Sequence, residues 1–252
     1  IVFHLAAKVG GIGLNQEKPG ELFYDNLMMG TNVMEESRKN KVKKLIALGT
    51  ICSYPKFTPV PFSENAIWDG YPEETNAPYG LAKKMLLVQS MAYRQQYDFE
   101  SIVVFPTNLY GPGDNFKEGS SHAIPAIIKK VFEAKRNNQK SIRLWGDGSA
   151  TRDFLYVDDA AQGIILAAEK YNKSEPINLG TGVEISIKEL AEMIIKLMNT
   201  DIKIEWEKEK PNGQPRRCVS YSKAMNEIEF TPKTSIEEGL IKTIKYYQEI
   251  SS

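Results

Sequence analysis

A tyrosine and a lysine four residues apart are spaced to act together on a proton. Tyr79 and Lys83 lie in the segment YGLAK, inside an apolar pattern that predicts a helix over 78–97, so both side chains lie on one helix face. A nearby ammonium favours the phenolate, which lowers the pKa of a tyrosine from about 10 and makes it a better proton donor. Thr50 ends the preceding predicted strand, and its hydroxyl can polarise a carbonyl held against Tyr79. On spacing alone, a solvated helix face stays the alternative.

Cys52 and His122 are two further candidates for proton transfer. A thiolate can take a proton from carbon, and an imidazole titrates near pH 7. A cysteine that follows a strand is more often a small buried side chain, and a histidine near a helix start is more often solvated or capping. The residue types therefore leave both interpretations open, whereas Cys218 lacks any supporting motif and is predicted to be structural.

The composition limits the classes of partner. The chain has 252 residues, of which 42% are hydrophobic, enough for one large or two small domains. Lys plus Arg and Asp plus Glu number 32 each, which gives no electrostatic footprint for nucleic acid or an anionic membrane. No apolar run approaches the roughly 20 residues that span a bilayer. The two cysteines form no disulfide framework and favour a reducing, cytoplasmic compartment, and no metal site is predicted.

Strand-like and helix-like apolar runs alternate, which predicts an α/β fold with a Rossmann-type doubly wound parallel sheet and a smaller α/β part. The predicted strands are 1–5, 45–50, 101–106, 142–145, 152–157, 177–180 and 202–206. The predicted helices are 21–40, 78–97, 123–135, 158–171, 187–198 and 236–247. Ligands of such sheets bind beyond the carboxyl ends of the strands, so residues 6–11, 50–54 and 107–113 are the expected site.

Thr50, Tyr79 and Lys83 together resemble the catalytic set of the short-chain dehydrogenase/reductase superfamily. Four segments resemble motifs of its extended branch, in the same order: His4-Leu5-Ala6-Ala7, Asn26-x-x-x-Gly30-Thr31, 106–112 and 152–159. The resemblance implies that residues 1–108 and 150–178 form the cofactor part, and that 109–149 and 179–252 form the substrate part.

The same resemblance implies an NADP(H) site. The implied cofactor-binding residues are Leu5, Ala6, Ala7, Leu48, Gly49, Thr50, Tyr79, Lys83, Pro106, Thr107, Asn108, Leu109 and His122.

Within this branch the chain most resembles the GDP-L-fucose synthase family. Segments 6–12, 52–56, 108–116 and 121–125 carry that resemblance. It implies that GDP-4-keto-6-deoxy-D-mannose is epimerised at C3 and C5 by Cys52 and His122. Reduction at C4 by NADPH then follows, with Tyr79 as the proton donor, Thr50 polarising the oxygen and Lys83 holding the nicotinamide ribose.

The resemblance also implies where the GDP-sugar binds. Lys130, Trp145 and Arg152 are the implied substrate contacts, which suits a diphosphate and a base that stacks on an aromatic ring. The loop 210–216 resembles a family loop near the substrate. The aspartate that usually follows this loop appears here as Ser220, which puts that contact in doubt.

The glycine-rich turn that the superfamily places after its first strand has no counterpart in the chain, because Gly10, Gly11 and Gly13 follow a later strand. We therefore expect roughly 60 residues, two βαβ units, to precede Ile1 and the chain alone to bind NADPH weakly.

Homodimers are implied through helix 21–40 and the helix of Tyr79, where Met85, Leu86 and Met91 are expected to supply apolar surface. Three alternatives remain. GDP-mannose 3,5-epimerase is one, although that family uses a lysine at the position of His122. The others are a non-catalytic member of the fold and a structural fragment.

Overall fold

Strands and helices alternate along the chain in a computed structural model, which describes residues 1–210 and 212–251. The strands are β1 Val2–His4, β2 Leu45–Leu48, β3 Ser101–Pro106, β4 Asn108–Tyr110, β5 Ser141–Trp145, β6 Thr151–Arg152, β7 Phe154–Tyr156, β8 Ile177–Leu179, β9 Ile185–Ser186, β10 Lys203–Glu207 and β11 Arg216–Arg217. The helices are α1 Ile12–Glu17, α2 Pro19–Lys39, α3 Ala77–Tyr97, α4 Ala123–Arg136, α5 Val157–Lys170, α6 Ile187–Leu197, α7 Ser222–Ile228 and α8 Ile236–Ile250. Two 3₁₀ turns, Ile51–Ser53 and Glu64–Trp68, lie between β2 and α3.

The main sheet has the strand order β1-β2-β3-β8, and every pair in it is parallel. Consecutive residues of its strands point to opposite faces. Ala47 packs with Leu86 of α3 on one face, while Ile46 packs with Ala160 of α5 on the other. Helices therefore cover both faces, and the predicted Rossmann-type α/β fold is confirmed.

A smaller α/β unit carries its own core. Strands β5 and β10 pair in parallel, and α4, α6 and α8 pack near them. Helix α4 places Ile124, Ile128 and Val131 on one buried face, as its apolar spacing predicts. Helices α6 and α8 each begin with a capping box, in which a serine and the glutamate three residues later exchange hydrogen bonds.

The single strand predicted over 152–157 is wrong, because two strands of different sheets replace it. Strand β6 pairs with β11 and β9, whereas β7 pairs with β4, and Asp153 lies between them. Asp153 is fully buried, and its carboxylate accepts hydrogen bonds from the backbone and hydroxyl of Thr181. Its carbonyl accepts from the side chains of Thr107 and Asn108. These bonds tie the end of β3 to the start of β7.

Helices α2 and α3 lie side by side against the sheet. Leu86 of α3, which was expected to supply apolar surface, is fully buried beneath α2, whereas Met91 is 42% exposed and Met85 is half-buried. Leu86 is therefore a core residue. In the described part of the chain, no helix is both long enough and apolar enough to cross a bilayer.

The start of α3 lies very close to the 3₁₀ turn that contains Cys52. A Cβ atom on Gly80 would lie 2.3 Å from the backbone oxygen of Cys52, and the Ser53 hydroxyl donates to the Gly80 carbonyl at 2.7 Å. A backbone oxygen cannot move aside as the end of a flexible side chain can. Glycine at position 80 therefore sets the distance between α3 and this turn.

We expect Gly80→Ala to destabilise the fold by about 1–3 kcal/mol, because the added methyl overlaps the Cys52 carbonyl and forces the helix away. Urea unfolding measures the effect. Gly20→Ala in α2 is the matched control: nothing lies within 4 Å of its added Cβ, so it should leave stability unchanged or raise it slightly. Equal stability of the two variants would contradict the close approach.

Candidate active site

A cavity of about 810 Å³ lies beyond the carboxyl ends of β1, β2 and β3, where ligands bind in open α/β sheets. Of the residues predicted to form the site, those that line this cavity are Leu5, Ala7, Leu48, Gly49, Thr50, Cys52, Tyr79, Lys83, Pro106, Thr107, Asn108, Leu109, His122, Lys130, Trp145 and Arg152. Ala6 is exposed and does not line it. The alternation of side chains that begins in β1 accounts for this, since both neighbours of Ala6 are in the wall.

The Thr50 side chain connects Tyr79 with Cys52. Its hydroxyl accepts a hydrogen bond from the Cys52 backbone nitrogen at 3.3 Å, and so caps the 3₁₀ turn Ile51–Ser53. The same side chain hydrogen-bonds to the Tyr79 phenol. One hydroxyl after β2 thus holds the phenol of α3 and the turn that carries the thiol.

The pKa of Tyr79 differs from the sequence-based expectation. Burial raises the pKa of the Tyr79 phenol, with the Cys52 sulfur adding to the rise, while the hydrogen bond with Thr50 acts in the opposite direction. Burial also lowers the pKa of Lys83 to about 8. The net shift of the Tyr79 pKa is therefore upward, opposite to the lowering expected from the sequence, because a desolvated phenol resists ionisation. Tyr79 keeps its proton at neutral pH, as a proton donor must.

Arg217 contacts the sulfur of Cys52. Its Nη1 donates to Cys52 Sγ at 3.4 Å, and its Nε donates to Gln214 Oε1 at 2.9 Å. Gln214 in turn donates to the Lys56 carbonyl at 3.0 Å, and both Arg217 and Gln214 are buried. The guanidinium is thus fixed beside the thiol by hydrogen bonds between buried side chains.

A second guanidinium faces the same cavity. Arg152 donates to the carbonyls of Thr151 at 2.7 Å and Asn212 at 3.4 Å, which leaves its charge without a carboxylate partner among the described residues. Burial lowers the pKa of Arg152 to about 10, and the neighbouring Arg217 adds to the fall. Two neighbouring guanidinium groups in one cavity wall have the chemistry to bind an anion.

His122 is the residue immediately before α4, at its N-cap. His122 is exposed and lines the cavity. Partial desolvation by the surrounding protein lowers the pKa of its imidazole, while Asp114 acts to raise it. The structure therefore places the imidazole in the same cavity as the Cys52 thiol, on a different element of the fold.

Lys130 and Trp145 lie in the part of the wall formed by the smaller unit. Lys130 Nζ donates to the Arg143 carbonyl at 2.7 Å. Trp145 is 44% exposed, and Lys210 Nζ lies 5.6 Å from its ring centroid. An open indole face with a cation beside it suits an aromatic base that carries phosphate groups.

The loop 210–216 reaches the cavity through Asn212, Gly213 and Gln214. Pro211, which the loop also contains, lies outside the described residues. Ser220 does not line the cavity, and its hydroxyl hydrogen-bonds to Ser222. Asn212 and Gln214, rather than Ser220, are the polar side chains of this segment that border the site.

Sequence reasoning gave no role to several residues that line the cavity, among them Asp114, Gln214 and Arg217. Asp114 and Gln214 lie inside segments that the motifs already marked, and Arg217 directly follows the second of these. The available signal was that the charged side chains of Asp114 and Arg217 lie within or next to these segments. Their contacts depend on loops that meet only in the fold.

We expect Lys83→Met to stabilise the fold at pH 7 by on the order of 1–3 kcal/mol. Folding lowers the pKa of Lys83 from 10.5 to about 8, so the folded state opposes its protonation at every pH below 8. The gain should shrink as the pH rises from about 8 to 10.5, where the unaltered lysine becomes neutral in both states. Urea unfolding at pH 7 and pH 10 measures it.

The exposed Lys140 provides the control, because Lys140→Met should change stability by less than about 0.5 kcal/mol at either pH. A loss of stability in Lys83→Met at pH 7 would show that the ammonium is not held at a cost.

The part of the chain that the structure describes contains no group of three or more histidine, cysteine, aspartate or glutamate side chains placed to hold a metal ion.

Comparison with known proteins identifies the family. The model of the NAD dependent epimerase/dehydratase family matches residues 1–180. A probable GDP-L-fucose synthase 1 of Oryza sativa subsp. japonica is 42% identical over 245 residues, which cover 97% of this chain and 74% of that protein. The GDP-L-fucose synthase of Escherichia coli (strain K12) is 37% identical over 257 residues, covering 98% of this chain and 80% of the relative.

Comparison with solved structures finds the same kind of protein. The crystal structure of a GDP-L-fucose synthetase from Naegleria fowleri bound to NADP superposes with a TM-score of 0.87 at 28% identity, over 99% of this chain and 77% of that one. The chain belongs to the NAD dependent epimerase/dehydratase family and, within it, to the GDP-L-fucose synthases.

Proposed function

We propose that this chain converts GDP-4-keto-6-deoxy-D-mannose to GDP-L-fucose in two steps, 3,5-epimerisation followed by NADPH-dependent reduction at C4. The observation that carries the proposal is that one cavity holds Cys52, His122 and Tyr79. A thiol and an imidazole can exchange protons with carbon, and a phenol can protonate the oxygen of a reduced carbonyl. The names of the relatives, GDP-L-fucose synthases, support the same reaction.

Epimerisation needs a base on one face of the sugar ring and an acid on the other. The C–H bonds at C3 and C5 flank the 4-keto group, so the electron pair left by deprotonation is stabilised as an enolate. Cys52, as the thiolate, takes the proton, and His122, as the imidazolium, delivers one to the opposite face. Arg217 supports the thiolate through its hydrogen bond to Sγ. No oxidation or reduction accompanies this step.

Reduction at C4 uses the residues around Tyr79. When bound, NADPH supplies the hydride. Tyr79 donates its proton to the C4 oxygen, and its raised pKa keeps that proton in place until then. Thr50, which hydrogen-bonds the phenol, polarises the same oxygen. Lys83, whose pKa is lowered to about 8, holds the ribose of the cofactor.

The cavity wall beyond β1, β2 and β3 fits the nicotinamide half of NADP(H). Leu5, Leu48 and Leu109 give it an apolar surface, with Gly49 between them. The buried Lys83 ammonium donates no hydrogen bond to the described residues, so it needs an acceptor, which a ribose hydroxyl provides. The other residues proposed to hold the cofactor along this wall are Ala7, Thr50, Tyr79, Pro106, Thr107, Asn108 and His122.

The GDP moiety is proposed to bind against the smaller unit. The unpaired guanidinium of Arg152 suits the diphosphate, Lys130 adds a second positive charge, and Trp145 offers a ring for the guanine. This arrangement directs the sugar toward Cys52 and Tyr79 in the same cavity.

We propose the division of labour that the sequence suggests, with residues 1–108 and 150–178 holding the cofactor and 109–149 and 179–252 the substrate. The separate core of β5, β10, α4, α6 and α8 supports it. Helix α7, although within the second range, packs against the sheet through Ala224 and Ile228.

A homodimer through α2 and α3 is also proposed. Phe23, Met28, Val88 and Met91 are between 38% and 43% exposed on these two helices, which supplies apolar surface for a second copy. We place the enzyme in the cytoplasm, since both cysteines are free and Cys52 needs its thiol for the proposed reaction. The balanced charge favours a small-molecule substrate over nucleic acid.

The alternatives are not favoured. The relatives at 37–42% identity are GDP-L-fucose synthases rather than GDP-mannose 3,5-epimerases, and His122 stands where the latter have lysine. A non-catalytic member or a structural fragment has no need for a phenol, a thiol and an imidazole in one cavity.

We expect Cys52→Ser to abolish epimerisation, because a serine hydroxyl is a far weaker base than a thiolate, and Tyr79→Phe to block mainly reduction. The full-length protein is given GDP-4-keto-6-deoxy-D-mannose in D₂O with and without NADPH. Mass spectrometry follows deuterium at C3 and C5 and the formation of GDP-L-fucose. If unaltered protein yields epimerised keto sugar but no GDP-L-fucose, the reductase assignment fails. Equal loss of both steps in each variant would remove the assigned roles.

We expect Arg217→Gln to slow deuterium uptake at C3 and C5 about tenfold, since a hydrogen bond to a charged group contributes about 1.5–3 kcal/mol. Arg216→Gln is the matched control, because Arg216 is exposed and pairs with Glu184 instead. Exchange rates that are equal in the two variants would show that the Arg217 contact does not support the thiolate.

A further inference from the structure

Asn76 lines the cavity with an amide oxygen that has no partner among the described residues. It is 7% exposed and is the N-cap residue of α3, three residues before Tyr79. An asparagine at this position commonly accepts a hydrogen bond from the backbone of the first helical turn. The Asn76 side chain makes no such bond, so its Oδ1 is left for another donor.

The neighbouring Glu73 determines which way this amide points. Asn76 Nδ2 donates to Glu73 Oε2 at 2.6 Å and to Thr75 Oγ1 at 3.1 Å. Thr75 donates to the same carboxylate through its hydroxyl at 2.6 Å and through its backbone nitrogen at 3.3 Å. An ionised carboxylate accepts hydrogen bonds and has none to donate. Glu73 therefore holds the amide nitrogen toward itself, which turns Oδ1 away from the loop.

Glu73 is ionised at neutral pH although it is buried. Burial acts to raise the pKa of its carboxyl, but the hydrogen bonds from Thr75 and Asn76 and the charge of Arg217 outweigh it, so the pKa lies below its usual value. A reversed amide would set its oxygen against this negative charge. The orientation of the Asn76 side chain is consequently fixed before any ligand binds.

The loop that carries both residues is fastened to the segment around Cys52. The Lys56 nitrogen donates to the Tyr71 carbonyl at 3.0 Å, and α3 approaches the Cys52 backbone at Gly80. Asn76 therefore lies on the side of the cavity that holds the thiol. The apolar wall proposed for the nicotinamide is formed instead by leucines of β2, of β4 and of the end of β1.

A free amide oxygen selects a hydrogen-bond donor. Because both protons of Nδ2 are used within the loop, Asn76 can accept from a hydroxyl but has nothing to donate to a carbonyl. In the proposed substrate the C4 oxygen is a ketone, C6 carries no oxygen and C1 is bonded to the diphosphate. The hydroxyls at C2 and C3 are therefore the donors that the sugar ring offers.

We propose that Asn76 binds the substrate through Oδ1, which accepts a hydrogen bond from the sugar hydroxyl at C2 or C3, and that Glu73 is the positioning residue that orients the amide. The identity of the sugar rests on the proposed function. Two acceptors repel one another, so the contact disfavours a ring turned to place its C4 ketone at Asn76. It thereby leaves that ketone for Tyr79 and Thr50.

The affinities for GDP and for GDP-L-fucose separate a contact to the sugar from contacts to the nucleotide. Calorimetry of the full-length protein gives both Kd values and that of NADPH. In Asn76→Ala, GDP-L-fucose should bind about five- to tenfold more weakly, as expected for one lost hydrogen bond, while GDP and NADPH bind as before. Glu74→Gln is the matched control and should change none of the three, because Glu74 is exposed and pairs with Lys56.

Two double variants test the orientation without leaving a carboxylate buried at position 73. Glu73→Gln/Asn76→Asp exchanges the two groups, so that the new amide donates to the new carboxylate and an acceptor oxygen still faces the cavity. Its ratio of the GDP and GDP-L-fucose Kd values should lie within about twofold of that of the unaltered protein. Glu73→Gln/Asn76→Ala lacks the acceptor and should lose the same five- to tenfold as Asn76→Ala, to within about a factor of two. Urea unfolding checks that each variant is folded.

An unchanged ratio in Asn76→Ala and in Glu73→Gln/Asn76→Ala overturns the proposal. Equal losses in the two double variants also overturn it, because an acceptor at position 76 would then have no effect. Weaker NADPH binding with an unchanged ratio assigns the amide to the cofactor and has the same consequence. If the unaltered protein makes no GDP-L-fucose from the keto sugar and NADPH, the proposed function fails. An unchanged ratio in a protein that does make it removes the Asn76 contact alone.

Discussion

The contact between Gly80 and the backbone of Cys52 determines the geometry of the whole site. Helix α3 can begin against the 3₁₀ turn because position 80 has no Cβ, and the Ser53 hydroxyl fastens the helix to that turn. Tyr79 is thereby brought to Thr50, which also caps the turn. The phenol of Tyr79 and the thiol of Cys52, which are proposed as proton donor and base, consequently line the same cavity.

Desolvation gives the site its chemical character. It keeps Tyr79 protonated, lowers the pKa of Lys83 to about 8 and opposes the charge on His122. Each effect favours the neutral form of its group, and the groups that must be charged need a partner. The stability lost by burying these groups is a cost of holding them ready to react.

The sequence predicted the strands of the main sheet well, but it did not predict where the chain passes from one sheet to another. Strand β3 was predicted over the residues that form it, because a central parallel strand is a continuous apolar run. The segment 152–157 was predicted as one strand because its apolar pattern is unbroken by glycine or proline. Asp153 divides it through bonds to Thr181, Thr107 and Asn108, which are distant in sequence. Helix α1 was not predicted, because its 6 residues are too few to show the apolar periodicity of a helix.

What the sequence by itself determined was the fold class, the family and the side chains capable of chemistry, because periodicity and local motifs carry that information. Only the tertiary structure decided what surrounds them. It placed Arg217 on Cys52, left Arg152 without a carboxylate partner in the described chain, and buried Asp114 Oδ2 without a hydrogen-bond partner among the described residues. It also reversed the expected effect on Tyr79. Solvation and charge depend on neighbours that only the folded chain brings together, so local spacing could not reveal them.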